Sequence, residues 1–150
     1  LLVETAQAEI VKNVVMENLR ANIAYGGENS ENTTIIENTI SHGRCEGIYV
    51  VKSLGSTIER NDIFENNYGI VVQNSSPNVS KNAIYKNKSD GIPPKDDLFP
   101  KMSCELGLLI FEECKPSVID NVIRDNQGIG LYIREFVTGT FRDNKVFKWI

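Results

Sequence analysis

The sequence predicts an all-β solenoid, a chain wound into stacked coils of short parallel strands, and three observations carry that prediction. The stretch from Asn61 to Gly91 contains one phrase twice, Asn61-Asp-Ile63-Phe-Glu-Asn66 and Asn82-Ala-Ile84-Tyr-Lys-Asn87, each followed by a glycine and an isoleucine. Equivalent asparagines stand at Asn13, Asn38, Asn121 and Asn144, so the six anchors are separated by 25, 23, 21, 39 and 23 residues. Around them the apolar residues are β-branched and arranged in short segments, with no apolar pattern of helical length. A repeat of roughly 20 to 50 residues marks a solenoid, and β-branched short segments select β coils over helical repeats.

Each element follows from its position relative to the anchor. Three residues before it stand Ile10, Ile35, Ile58, Val79, Val118 and Phe141; two after it stand Val15, Ile40, Ile63, Ile84, Ile123 and Val146. These are the inward residues of two short strands. The residue just before the anchor is always charged (Lys12, Glu37, Arg60, Lys81, Asp120, Asp143) and belongs to solvent. Eight or nine residues past the anchor comes a glycine (Gly47, Gly69, Gly91 or Gly130), with Asn22 in that slot of the first unit. A third strand follows, with Ile23, Ile48, Ile70, Ile92 and Leu131, then Tyr25, Val50, Val72 and Ile133, facing the core, with a break only at Lys95. Leucine is scarce at these positions, which excludes leucine-rich repeats. The result is a right-handed single-stranded parallel β-helix of about six coils, each of about 22 residues, stacked at about 4.8 Å.

Asparagine suits the corner because it tolerates left-handed backbone and because its amide can bond an equivalent amide on the neighbouring coil. A second column lies five residues on, at Asn18, Asn66, Asn87 and Asn126, with Gly43 substituting in the Asn38 coil. The 39-residue step has its own cause: Gly91 and Gly107 both fit the glycine slot, and Ile92 to Leu106 between them is an insertion. Its prolines at 93, 94 and 100 cannot donate to a sheet ladder, so the segment leaves the coil as a loop, the kind of place where function concentrates.

Composition bounds the function. At 150 residues, 24% charged and 41% hydrophobic, the chain is one folded domain with a substantial core. Its net charge of −4, without a basic stripe, excludes nucleic acid or an anionic membrane as the main partner. Cys45, Cys104 and Cys114 are odd in number and lack CxxC spacing, which points to reduced thiols, a cytoplasmic or other intracellular setting, and no structural zinc. Sequons at Asn32, Asn74, Asn78 and Asn87 weigh the other way, but asparagine is already explained by the repeat. The chain starts without Met and inside a repeat, so it reads as a fragment, which leaves secretion open.

The phrase N-x-[IV]-x-x-N-x-x-x-G-[IL], nearly complete at Asn61, Asn82 and Asn121, resembles the repeats of the parallel β-helix superfamily. The likeness narrows to carbohydrate-binding-and-sugar-hydrolase type repeats, as in periplasmic copper-accessory proteins, F-box-only ubiquitin-ligase adaptors and Shc SH2-domain-binding proteins. In the eukaryotic branches such repeats look like recognition or scaffold modules, and the segment Gly69 to Asn87 is closest to their style. What carries over are fold residues: Asn38, Asn61, Asn82, Asn121 and Asn144 match the turn asparagine, and Gly47, Gly69, Gly107 and Gly130 the glycine. None brings catalysis, a cofactor or a metal with it.

Because many parallel β-helices act on polysaccharides, paired carboxylates from adjacent coils are the chemistry to look for. The polygalacturonase pattern is not met by Ser41-His42-Gly43, Asn61-Asp62 or Asp96-Asp97, and His42, the only histidine, sits in a turn slot as a solvated corner residue. The outward position between the two core slots of the third strand is more informative, since it holds Tyr49, Val71, Leu109 and Tyr132 where water would favour polar residues. This column is either covered by another segment or a binding face for a protein partner. As a binding face it comprises Tyr49, Val71, Leu109, Phe111 and Tyr132, with Phe99 on the loop as an anchor. The reading is a non-catalytic recognition or scaffold module, against a carbohydrate-active or carbohydrate-binding β-helix and a purely architectural rod. If Ile92 to Leu106 is a loop outside the core, deleting Pro93 to Met102 leaves the thermal midpoint within about 4 °C of the parent chain by circular dichroism; a larger loss would place the segment in the core.

Overall fold

A three-residue strand buries too little to persist alone, so these segments are stable only when each is paired on both sides by its equivalents in neighbouring coils. The computed structural model, which describes residues 1–148 apart from 5, 28–29, 89–105 and 135, has that form. Its strands are dealt in turn to three parallel six-stranded sheets. The first sheet holds β1 (Leu2–Glu4), β4 (Ile23–Gly26), β7 (Glu46–Val51), β10 (Tyr68–Gln73), β13 (Leu106–Phe111) and β16 (Ile129–Ile133). The second holds β2 (Glu9–Val11), β5 (Thr34–Ile36), β8 (Leu54–Glu59), β11 (Ser76–Ser80), β14 (Ser117–Ile119) and β17 (Thr140–Arg142). The third holds β3 (Val14–Met16), β6 (Thr39–Ser41), β9 (Asp62–Phe64), β12 (Ala83–Tyr85), β15 (Val122–Arg124) and β18 (Lys145–Phe147). Among the described residues there is no helix.

Register follows the predicted columns. Val15, Ile40, Ile63, Ile84, Ile123 and Val146 are successive partners across the third sheet. In the first sheet Ile48, Ile70, Leu108 and Leu131 are likewise in line. Both columns are fully buried through the middle rungs and form one continuous core. Gly107, not Gly91, takes the glycine slot beside Gly69, and β13 begins at Leu106, so the last residue of the predicted insertion belongs to the sheet. The remainder of that insertion, residues 92–105, lies outside the described residues. Glycine is required in the slot because a Cβ on Gly47 would sit 2.6 Å from the Gly69 carbonyl oxygen and 2.8 Å from Ile63 Cγ2.

The anchor asparagines form the predicted ladder, and their spacing is visible in its bonds. The backbone N–H and side-chain Nδ2 of Asn13 donate to Oδ1 of Asn38, and the pattern repeats through Asn61, Asn82, Asn121 and Asn144 at 2.9 to 3.1 Å. Each Nδ2 from Asn38 onward also donates to a carbonyl of the preceding rung, Asn61 to Ile35 O at 2.8 Å and Asn82 to Ile58 O at 2.9 Å.

The corner geometry corrects one expectation. The left-handed residue is not the asparagine but the charged residue before it: Lys12, Glu37, Arg60, Lys81, Asp120 and Asp143 all have φ between 53° and 58°. A positive φ there turns the chain while sending a long side chain outward, which leaves the asparagine free to point inward at its partners. The second corner works alike, with Glu17, His42, Glu65, Lys86 and Asp125 left-handed. None of these residues is β-branched, as the sterics of positive φ demand.

The second ladder repairs its own gap. Gly43 lacks the amide that belongs in its slot, and Asn22, from the glycine slot of the first unit, fills the space. Asn22 Oδ1 accepts from Asn18 Nδ2 at 2.7 Å, and its Nδ2 donates to Ser41 O at 2.9 Å and to Asn66 Oδ1 at 2.8 Å. A Cβ on Gly43 would meet Asn22 Nδ2 at 2.8 Å, so Gly43 and Asn22 form one compensated pair. At the third corner Ser53 N donates to Ser75 Oγ, and Ser75 N to Cys114 Sγ. Cys114 is thus a buried ladder member, and among the described residues neither it nor Cys45 is in a disulfide.

Asn82→Ala would remove the Oδ1 acceptor of Asn61 N, leave Asn61 Nδ2 with Ile35 O alone and take a donor from Ile58 O, all inside the ladder. The expected loss is about 3 kcal/mol or more by urea unfolding, against about 1 kcal/mol or less for Asn13→Ala on the exposed first rung; equal losses would sink the ladder argument.

Candidate functional site

A β-helix spends its inward residues on the core, so chemistry has to be written on the outward columns. On the first sheet Tyr49, Val71, Leu109 and Tyr132 are direct neighbours across β7, β10, β13 and β16, so four of the predicted residues are brought together. Val71 and Leu109 are buried despite facing outward, and Tyr49, Tyr68 and Tyr132 pack against them, half-buried. What is accessible is therefore a tyrosine rim around an aliphatic centre. Tyr68 was missed by sequence reasoning because it has the same parity along the strand as inward-facing Ile70, yet it packs with the outward cluster. The Phe111 backbone is in β13, but its side chain, like the whole of Phe99, lies outside the described residues.

The rim is tied together across rungs. The Tyr49 hydroxyl donates to Gln73 Oε1, and Gln73 Nε2 donates to Glu112 Oε1 at 2.9 Å. Burial, with the carboxylates of Glu46 and Glu112, pushes the Tyr49 hydroxyl up to about 12. Glu46, opposite Tyr68 in the register, is itself buried, and that burial raises its carboxyl against the opposing pull of its own backbone N–H and Arg20. Burial and Glu46 together raise the Cys45 thiol, with Arg20 opposing. A thiol held protonated is a weak nucleophile. The three shifts share burial as their first cause, so Cys45, Glu46 and Tyr49 form one desolvated cluster beside the rim.

The third sheet carries a stack instead. Phe64 and Tyr85 lie parallel at 5.1 Å, Arg124 covers the Tyr85 ring at 4.2 Å, and His42 meets Phe64 edge-on at 6.0 Å. His42 is an exposed corner residue whose Nε2 lies 2.7 Å from Glu65 Oε2. Because the ring faces contact one another, they offer no platform for a sugar ring.

The second sheet differs again. A shallow depression of about 570 Å³ is lined by Asn78, Ser80, Ser117 and Ile119, with Lys81, Asp120 and Asp143 along its corner side. Asp120 and Asp143 occupy the same slot on consecutive rungs, which sequence reading had treated only as part of a solvated charge column. Elsewhere in that column Glu37 lies between Lys12 (3.6 Å) and Arg60 (3.1 Å), and Lys81 pairs at 3.2 Å with Glu59, one residue outside the column. Asp96 and Asp97 lie outside the described residues, and among those described no group of three or more His, Cys, Asp or Glu converges as metal ligands.

Residues 1–148 match the family described as right-handed beta helix region. The chain belongs to the right-handed β-helix family. No curated protein and no solved structure matches it, so the narrower likeness to F-box-only and Shc-binding proteins gains no support. Right-handed β-helices occur in enzymes and in proteins without catalytic activity, so membership leaves this β-helix's activity open.

Glu46 yields a test of the first-sheet cluster. A carboxyl raised in the folded state binds its proton more tightly there than in the unfolded chain. Stability from this group is therefore fully present below the unfolded value of 4.5 and falls as pH rises through the raised folded value. Glu46→Gln is expected to flatten that decline and to stabilise the β-helix at pH 7, read as urea midpoints between pH 4 and 7; a variant less stable at pH 7 would mean that the ionised carboxylate is well paired.

Proposed function

We propose that this β-helix is a recognition module that docks a protein partner on the outward face of its first sheet and carries out no catalysis itself. The observation that carries this reading is the tyrosine rim of Tyr49, Tyr68 and Tyr132 around Val71 and Leu109. Tyrosine supplies large contact area with a polar tip at low entropic cost, and an aliphatic centre with an amphipathic rim is how protein interfaces are built. The raised Cys45 thiol adds support, since a nucleophile of this kind would need the opposite shift. Phe99 and the insertion are assigned the role of adding specificity to this docking. That Cys45 and Cys114 are not joined in a disulfide favours a reducing, intracellular setting.

Tyr49→Ala combined with Tyr132→Ala is expected to weaken partner capture from a lysate by about tenfold or more, on the scale of interface anchors. The same variant should keep the far-ultraviolet spectrum of the parent. Undiminished capture would end the first-sheet reading.

A second reading rests on the second-sheet depression, where hydroxyls, an amide, a lysine and two carboxylates share one concave surface. That donor and acceptor set suits the hydroxyls of a carbohydrate. Here a glycan array is expected to give signals that Asp120→Ala with Asp143→Ala removes, and a blank array with the parent chain would eliminate it.

A further inference from the structure

The tyrosine face has a geometry that narrows what can dock on it. At residue 69 a Cβ would point into the core, 2.5 Å from Ile84 Cγ2, and Ile70 is itself a core residue. No side chain therefore projects outward between Tyr68 and Val71, and Tyr68 spans that gap to pack on the Val71 and Leu109 pair. Val71 and Leu109 are buried, so an incoming partner meets tyrosine rings rather than an aliphatic pocket. Strand addition is closed as well, since β7, β10 and β13 are each paired on both edges.

A docked helix needs aliphatic recesses for its anchors, which the buried Val71 and Leu109 do not offer. A polyproline II segment needs aromatic ridges at its own repeat. The rungs follow the order β7, β10, β13, β16, so Tyr68 and Tyr132 stand two rungs apart along the solenoid axis, about 9.6 Å. One polyproline II turn of three residues advances about 9.3 Å, so prolines three positions apart would meet the two rings in succession. Such a segment has no internal hydrogen bonds to satisfy its carbonyls. Among the described residues the Tyr132 hydroxyl makes no hydrogen bond, which leaves it as a donor to one of them. Charge adds a third match. Glu112 follows β13, on the rung between those of Tyr68 and Tyr132. It is exposed, makes no ion pair among the described residues, and is held in place by Gln73 Nε2 at 2.9 Å.

We propose that the occupant of this face is a proline-rich segment in polyproline II conformation, lying along the solenoid axis, with prolines on Tyr68 and Tyr132 and a basic residue between them at Glu112. Tyr49, one rung before Tyr68, extends the same platform. A segment of this kind is already extended before it binds, so little ordering entropy is lost on docking. The proposal rests on the reading that the first sheet docks a protein, and it names the class of segment that docks.

Fluorescence anisotropy with a short labelled peptide, carrying two prolines three positions apart and an arginine between them, tests it. Saturable binding to the parent chain is expected, weakened about tenfold or more by Tyr68→Ala or Tyr132→Ala. Replacing both prolines by alanine at unchanged charge is expected to abolish it. Glu112→Arg is expected to weaken binding about threefold, and a glutamate in place of the peptide's arginine to restore it for that variant. A parent chain that does not bind the peptide overturns the proposal, and so does an alanine peptide that binds as well as the proline one. If either occurs while lysate capture still depends on Tyr49 and Tyr132, the docking face stands and the proline-rich partner falls; if capture is also undiminished in the tyrosine variants, both fall. Should a tyrosine variant lose its β spectrum, the paired peptides decide, since they leave the protein unchanged.

Discussion

A buried side-chain amide that must be satisfied on every side is the constraint on which this structure depends. Asn38, Asn61, Asn82 and Asn121 are inside the solenoid, where an unpaired amide costs about 1 to 3 kcal/mol. Each is satisfied only when Oδ1 faces the rung before and Nδ2 faces both a carbonyl of that rung and the Oδ1 of the rung after. One residue of slip would turn the amide out and the isoleucines with it, because side chains alternate along the strand. The ladder therefore fixes register, and register delivers Ile40, Ile63, Ile84 and Ile123 to one buried line.

The same constraint explains the left-handed corners. With the asparagine committed inward, the turn falls on the preceding residue, which must accept positive φ and can take any long polar side chain. Lysine, glutamate, arginine and aspartate all serve there, so the corner is permissive about charge while the asparagine is not. Gly43 shows what happens when the inward amide is missing: a second asparagine, Asn22, is drawn from another slot to supply it.

Outward columns escape this control, and the three sheets have diverged accordingly. The first carries tyrosines around an aliphatic centre, the second hydroxyls and charges around a depression, and the third a closed stack of rings under a guanidinium. One scaffold thus presents three chemically distinct strips, each with side chains in register at about 4.8 Å. Function on such a fold is a property of the strips, not of the coil.

The sequence by itself determined the coil. The anchor spacing, both strands flanking it, the core columns and the glycine slot were legible because each repeats at a fixed distance along the chain, and repetition is a local signal. The candidate column of Tyr49, Val71, Leu109 and Tyr132 was legible for the same reason. Tertiary structure alone decided the rest. That Val71 and Leu109 are already buried, that Tyr68 joins the rim, that Asn22 fills the place of Gly43 and that Cys114 continues a serine ladder are relations between rungs at irregular offsets. The depression beside Asp120 and Asp143 likewise depends on small side chains from two rungs lying next to larger ones. No period in the sequence encodes such relations, because they arise only when coils of unequal length are stacked and their side chains compete for the same space.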